Sequence, residues 1–200
     1  MQKLTGALRE PVRSFTLLLV LTGLRVGELL ALRWGNVDLN ARLLRVIETV
    51  YDGHFDKPKT KRGMRTIPIG AATVELLTAL RPVALDVRAL MFAKSDGTPL
   101  DRWNLLRKHL KPAAKKLGLS GVTWHLLRHS HATMLDGVGT PIGTMQALLG
   151  HSAPEITREI YLHAIPEEQR RAVERVERLV FGPKWTQVQA SGQPASARVN

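Results

Sequence analysis

The 200-residue chain carries 29 Lys and Arg against 17 Asp and Glu, a formal charge of +12, with 44% apolar and 23% charged side chains. That balance suits a globular domain with a core of ordinary size and excludes a disordered, collagenous or coiled-coil chain. Cysteine is absent, which removes a disulfide framework and a thiolate zinc site, and the longest early apolar run, residues 17–21, is far too short for a bilayer.

In chain order, residues 12–21 form an apolar helix with Pro11 suited to its first turn, and Thr22-Gly23 breaks it. A second helix is predicted over 26–33 with Leu29, Leu30 and Leu32 inward. Residues 43–50, rich in Leu, Val and Ile, form a strand, and 65–69 its partner. Between them, 56–64 is a basic loop broken by Pro58 and Gly63. A helix over 71–80, a loop over 82–88 and a turn at Ser95-Asp96-Gly97-Thr98-Pro99 follow. Residues 101–117 form a helix with Asp101 as N-cap, Gly118 as stop, and Leu105, His109, Leu110 and Ala113 on its inner face. Further helices are predicted over 124–136, 141–149, 154–164 and 166–181, and residues 183–200 are a polar, disordered tail. The fold class is mostly α with one small antiparallel sheet (α+β).

The positive charge is uneven: +6 over residues 1–70, +5 over 71–120, −1 over 121–165 and +2 over the remainder. A cationic chain with a near-neutral, histidine-rich stretch reads as basic walls around a separate working centre, and the excess suits a polyanion.

Three clusters lie where chemistry could sit. Arg25 follows a glycine break at the start of a helix, inside apolar sequence, with Glu28 three residues on and on the same face. Read alone, this is a structural ion pair by a small margin. His125 and Arg128 are three apart on one helix and can face one point. His125 and His129 also have metal-ligand spacing, but without a His-Glu-x-x-His pattern the metal reading is weak, and a polar helix face is an equal alternative. Leu149-Gly150-His151-Ser152 is followed ten residues after His151 by Tyr161, a residue that in isolation reads as packing.

Together, Thr-Gly-Leu-Arg-x-Gly-Glu-Leu, His-x-x-Arg-His-Ser and Leu-Gly-His-Ser, with a downstream Tyr on a basic chain, resemble the tyrosine recombinase (phage integrase) family over roughly residues 15–164. The resemblance implies that Arg25 and Arg128 are the two catalytic arginines and His125 the first histidine. It implies that His151 fills the second histidine position, Tyr161 is the nucleophile and Glu28 supports Arg25. The family's hairpin lysine corresponds to Lys59, with Lys61 the alternative. Residues 1–182 are then the catalytic domain, with 166–181 a terminal helix able to dock on a neighbouring protomer, and the family's N-terminal clamp domain is expected to be absent from this chain.

The implied chemistry is coherent. Attack on a phosphodiester gathers negative charge on the non-bridging oxygens, which two guanidinium forks can hold bidentately without a metal. A phenol with a pKa of about 10 needs a proton acceptor, which His125 supplies, and the departing 5′-oxygen needs a proton, which a loop lysine supplies. His151 can hydrogen-bond a phosphate oxygen. The product is a 3′-phosphotyrosyl link, whose conserved bond energy permits rejoining without ATP.

No cofactor is expected. The expected partners are double-stranded DNA, further copies of the chain in a tetrameric synapse on DNA, and accessory proteins, in a cytoplasmic, nucleoid-associated setting with no membrane. Lys57, Lys61, Arg62 and Arg65 on the hairpin are read as DNA contacts, as are Arg107, Lys108, Lys111 and Lys115 at helical spacing, although a solvated outer face fits the second group equally. The alternatives are a topoisomerase-like nicking and resealing enzyme, or a non-catalytic DNA-binding module of the same fold.

Overall fold

The computed structural model describes residues 2–58 and 63–150. The chain divides into two units, Met1–Arg158 and Glu159–Asn200, and the described residues all belong to the first.

A short helix that the sequence reading lacks, α1 (Gln2–Gly6), opens the chain, and Leu4 and Leu8 are buried there. Helix α2 (Val12–Thr22) has apolar residues on most of its circumference, so it lies at the centre, burying Val12, Phe15, Leu18, Leu19 and Val20. Gly23 ends it with φ +65°, donating its N–H to the Leu19 carbonyl.

Helix α3 (Val26–Leu30) is shorter than the predicted 26–33. Beyond it the backbone takes up antiparallel pairing with a distant segment: Met91 N–H donates to Leu32 O at 2.8 Å, and Trp34 N–H to Ala89 O at 3.1 Å. The side chains of Leu29, Leu30 and Leu32 are nevertheless buried, as predicted.

The predicted strand over 43–50 is two strands in two different sheets. Strand β1 (Val37–Asp38) and β2 (Leu43–Val46) form a three-stranded antiparallel sheet with β5 (Arg65–Pro68), in the order β1-β2-β5. Leu44 lies opposite Ile67 and Val46 opposite Arg65. After Ile47-Glu48 the chain starts β3 (Thr49–Tyr51), which pairs with β4 (His54–Asp56). The two residues between them, Asp52 and Gly53, have φ +47° and +82°, the conformation of a type I′ hairpin connection. Two small sheets therefore replace the single one expected, within the same mostly helical class.

Helix α4 (Ala71–Leu80) matches its prediction, and the 95–99 turn is closed by Lys94 N–H to Thr98 O at 2.8 Å. The helix predicted over 101–117 is interrupted. It comprises α5 (Arg102–Leu105), a π-helical turn (Leu106–Leu110) and α6 (Lys111–Lys116), with Asp101 capping the Asn104 N–H at 2.6 Å. Pro112 has no N–H to give, and its ring excludes the carbonyl four residues back; the widened turn before it absorbs that conflict. The widening also rotates the inner face. Leu105, Leu106, Leu110, Ala113 and Ala114 are buried, whereas His109, predicted inward, is exposed.

Helix α7 (Trp124–Gly137) starts from Thr123, whose hydroxyl accepts the Leu126 N–H at 3.1 Å. Helix α8 (Ile142–Leu149) ends at Gly150, φ +64°. The helices predicted over 154–164 and 166–181 and the 183–200 tail lie outside the described residues. No described helix is long and apolar enough to cross a membrane.

Phe15 anchors the core, edge-on to Phe92 and Trp124 with ring centroids 5.1 and 5.5 Å away. Because α7 packs on both α2 and α8, and α8 also touches β5, the end of α2, the start of α3 and the end of α8 are brought to one place.

Candidate active site

Arg25 occupies the N-cap of α3 in an extended conformation. Glu28 is the third residue of that helix, and its carboxylate accepts the Arg25 backbone N–H at 2.9 Å, the reach-back half of a capping box. The same carboxylate accepts Arg25 Nη1 at 2.8 Å. The Arg25 side chain stays 45% exposed while that of Glu28 is 3% exposed, so one edge of the guanidinium is anchored and the remainder faces solvent. Gly27 makes this possible: a Cβ there would stand 2.5 Å from the Val50 carbonyl oxygen, so only glycine lets α3 lie this close to β3.

Glu28 has a second, unforeseen partner. Arg65, at the start of β5, grips it bidentately, Nη1 to Oε1 at 3.0 Å and Nη2 to Oε2 at 2.9 Å. The Arg65 side chain is 6% exposed, and its remaining contacts are Nε to Leu148 O at 2.8 Å and Nη1 to Gly63 O at 3.2 Å. The sequence reading put Arg65 on a DNA-facing surface. The structure corrects this, because a guanidinium buried on a carboxylate and two carbonyls is not displayed to a partner. Burial opposes ionisation of Glu28, but the hydrogen bonds and charge of Arg65, then those of Arg25, outweigh it and hold the carboxyl below the ordinary range.

Arg128 projects from α7 and is 5% exposed. It donates from Nη1 to the Gly23 carbonyl and from Nη2 to the Leu149 carbonyl. Burial pushes its guanidinium down to about 9, with the charge of Arg25 acting in the same direction, Glu28 opposing and Arg65 adding a smaller push. It is still a cation at neutral pH.

The C-terminus of α8 joins these groups. Leu148, Leu149 and Gly150 offer three successive carbonyls, which accept hydrogen bonds from Arg65, Arg128 and Arg25 respectively, the last at 3.3 Å. The final carbonyls of a helix lack intrahelical donors and carry the negative end of its dipole, so guanidinium groups are suitable caps. Three cations and one carboxylate thus share a small volume, and of the three Arg25 keeps an edge turned to solvent where an oxyanion could be met.

His125 lies in the first turn of α7, one turn before Arg128, and is exposed. Lys57, Arg107, Lys108, Lys111 and Lys115 are exposed as well. Lys59, Lys61, Arg62, His151 and Tyr161 lie outside the described residues. His131, two turns into α7, was not singled out in the sequence. Its Nδ1 lies 2.8 Å from the Val20 carbonyl, and burial, aided by Arg128, lowers its pKa although the Val20 bond opposes this.

The phage integrase family pattern matches residues 1–168. A XerC-like tyrosine recombinase of Caldanaerobacter subterraneus subsp. tengcongensis is 34% identical over 86% of this chain and 51% of its own length. The tyrosine recombinase XerD of Staphylococcus aureus is 34% identical over 80% of this chain and 52% of its own. The chain thus spans about half the length of the curated relatives it matches. Among solved structures, the integrase of transposon Tn1549, in complex with transposon right end DNA, superposes with a TM-score of 0.69 and 26% identity over 82% of this chain and 58% of that one. Shared sequence over most of the chain and a shared architecture lead to one conclusion: this chain belongs to the phage integrase family.

Proposed function

We propose that this chain is the catalytic domain of a site-specific tyrosine recombinase acting on double-stranded DNA. The observation that carries the reading is the meeting of Arg25 and Arg128, 103 positions apart in sequence, on adjacent carbonyls at the end of α8, with Arg25 half open to solvent. Arg25 and Arg128 take the non-bridging oxygens of the scissile phosphate as negative charge develops there. Tyr161 attacks phosphorus, its proton passing to His125, and forms the 3′-phosphotyrosyl link. The P–O5′ bond breaks, Lys59 protonates the departing oxygen, and His151 donates to a phosphate oxygen. Attack by a new 5′-hydroxyl reverses these steps and rejoins the strand. Glu28 holds Arg25 in place.

The names of the relatives and the DNA in the Tn1549 integrase structure support a DNA substrate. Lys57, Arg107, Lys108, Lys111 and Lys115 are exposed, and in this reading they add salt-sensitive affinity through the phosphate backbone. Residues 1–182 form the catalytic domain, with the 166–181 segment docking on a neighbouring protomer and tetramers assembling on DNA.

The test uses a pool of nicked duplexes with randomised flanks, which release a short strand after cleavage and so trap the covalent complex. The wild-type chain is expected to yield DNA joined to the Tyr161 peptide by mass spectrometry, and Tyr161→Phe none. Saturated DNA binding with no adduct from either protein refutes the enzyme reading in favour of a binding module. Adduct formation with plasmid relaxation but no strand exchange assigns the topoisomerase-like alternative.

A further inference from the structure

We propose that Arg65 is a positioning residue for the strand-transfer reaction: it sets the Arg25 fork through Glu28 and seats the end of α8 through Leu148. The inference rests on the recombinase reading above for its kinetic arm alone.

Glu28 accepts two hydrogen bonds from Arg25 and two from Arg65, so each of its oxygens is shared by both arginines. Arg25 is anchored along one edge by that carboxylate, and among the described residues its guanidinium otherwise makes the long bond to the Gly150 carbonyl. Arg25 alone would hold the carboxylate by one backbone N–H and by a side chain that is itself 45% exposed. Held bidentately as well by a second arginine whose side chain is 6% exposed, the carboxylate is a fixed post. Arg65 contributes that fixity from β5, an element outside both α3 and α7.

Its third contact extends the role. The Nε–H donates to Leu148 O, one residue before the carbonyl that Arg128 uses and two before the one Arg25 uses. A shift of the α8 terminus would therefore move the acceptors of both other arginines. With its side chain only 6% exposed, Arg65 acts through Glu28 and Leu148.

Three measurements on the full chain test this, with Arg65→Gln and Arg65→Lys. The first is DNA affinity against salt. The second is the single-turnover trapping rate at saturating nicked duplex. The third is rotation of the Arg25 guanidinium by ¹⁵N NMR, which needs no catalysis. The expected result for R65Q is unchanged affinity and salt slope, a trapping rate lower by about 100-fold, the scale of a misplacement of about 1 Å, and faster Arg25 rotation. R65K keeps the charge but not the fork, and is expected to recover part of the rate.

A salt slope reduced by about 0.9 with an unchanged saturated rate would make Arg65 a phosphate contact and overturn the proposal. A lowered melting temperature with unchanged rate and unchanged Arg25 rotation would make it merely structural, and overturns it equally. If R65Q does not fold, the R65K measurements decide by the same criteria. If the wild type traps no DNA, the recombinase reading fails, and Arg25 rotation still decides whether Arg65 holds it.

Discussion

Replacing Glu28 by Gln tests the electrostatic centre of the fold with almost no change of shape. The carboxylate is buried and, among the described residues, accepts four hydrogen bonds, two from Arg25 and two from Arg65. The amide keeps one acceptor oxygen but turns an NH2 group toward guanidinium donors, and it removes the counter-charge of a buried ion pair. Losing one partner of such a pair costs about 3–5 kcal/mol. At about 2–4 °C per kcal/mol for a chain of this size, the melting temperature falls by roughly 6–20 °C at pH 7. The acid limb gives a second reading. The Glu28 pKa is lowered in the native state, so its stabilising contribution is full above the ordinary carboxylate value of 4.5 and is lost as the pH falls through the native value. Differential scanning calorimetry of wild type and E28Q from acid to neutral pH should show the two curves converging in acid. A separation at pH 7 of less than about 2 °C, or a gap that stays constant into acid, would refute the reasoning.

Three other outcomes are expected. Gly23→Ala must hold φ +65° and place a Cβ 2.5 Å from His131 Cδ2 and 2.9 Å from Leu149 Cδ2, so urea denaturation should show a loss of roughly 2–5 kcal/mol from backbone strain and overpacking together. Phe15→Ala empties the fully buried site between Phe92 and Trp124 and should cost about 3–5 kcal/mol by the same assay. The lowered pKa of His131 means that its neutral form favours folding; stability should decline as pH falls below about 6.5 through the native value, and His131→Gln should remove that part of the decline in thermal melts.

The Arg25–Glu28 part of the candidate site was legible because its signals are local. Gly23, Arg25 and Glu28 lie within one helix start, where a cap, a break and an i,i+3 pair are all readable. Arg65 was not, because its partners are 37 and 83 positions away and it follows Lys59, Lys61 and Arg62 in what reads as one cationic tip. A signal existed in the strand alternation. Arg65 shares a face with Ile67 and Ile69, both buried, so period two already assigned it to the inner side. The β3–β4 hairpin was similarly announced by Asp52-Gly53, flanked by Thr, Val and Tyr on one side and His and Phe on the other. The misplaced His109 follows from taking 3.6 residues per turn through Pro112, where the missing N–H changes the helical pitch.

The ladder of carbonyls at the end of α8 has a consequence for how an oxyanion is received. Like-charged guanidinium groups left to themselves would spread apart, and gathering them around a ligand would subtract from its affinity. Here dipolar oxygens and a lone carboxylate keep them assembled in advance, so reorganisation is met during folding and not during association. On the proposed function, an arriving phosphate would exchange weak, uncharged acceptors for a full anion among donors already in place.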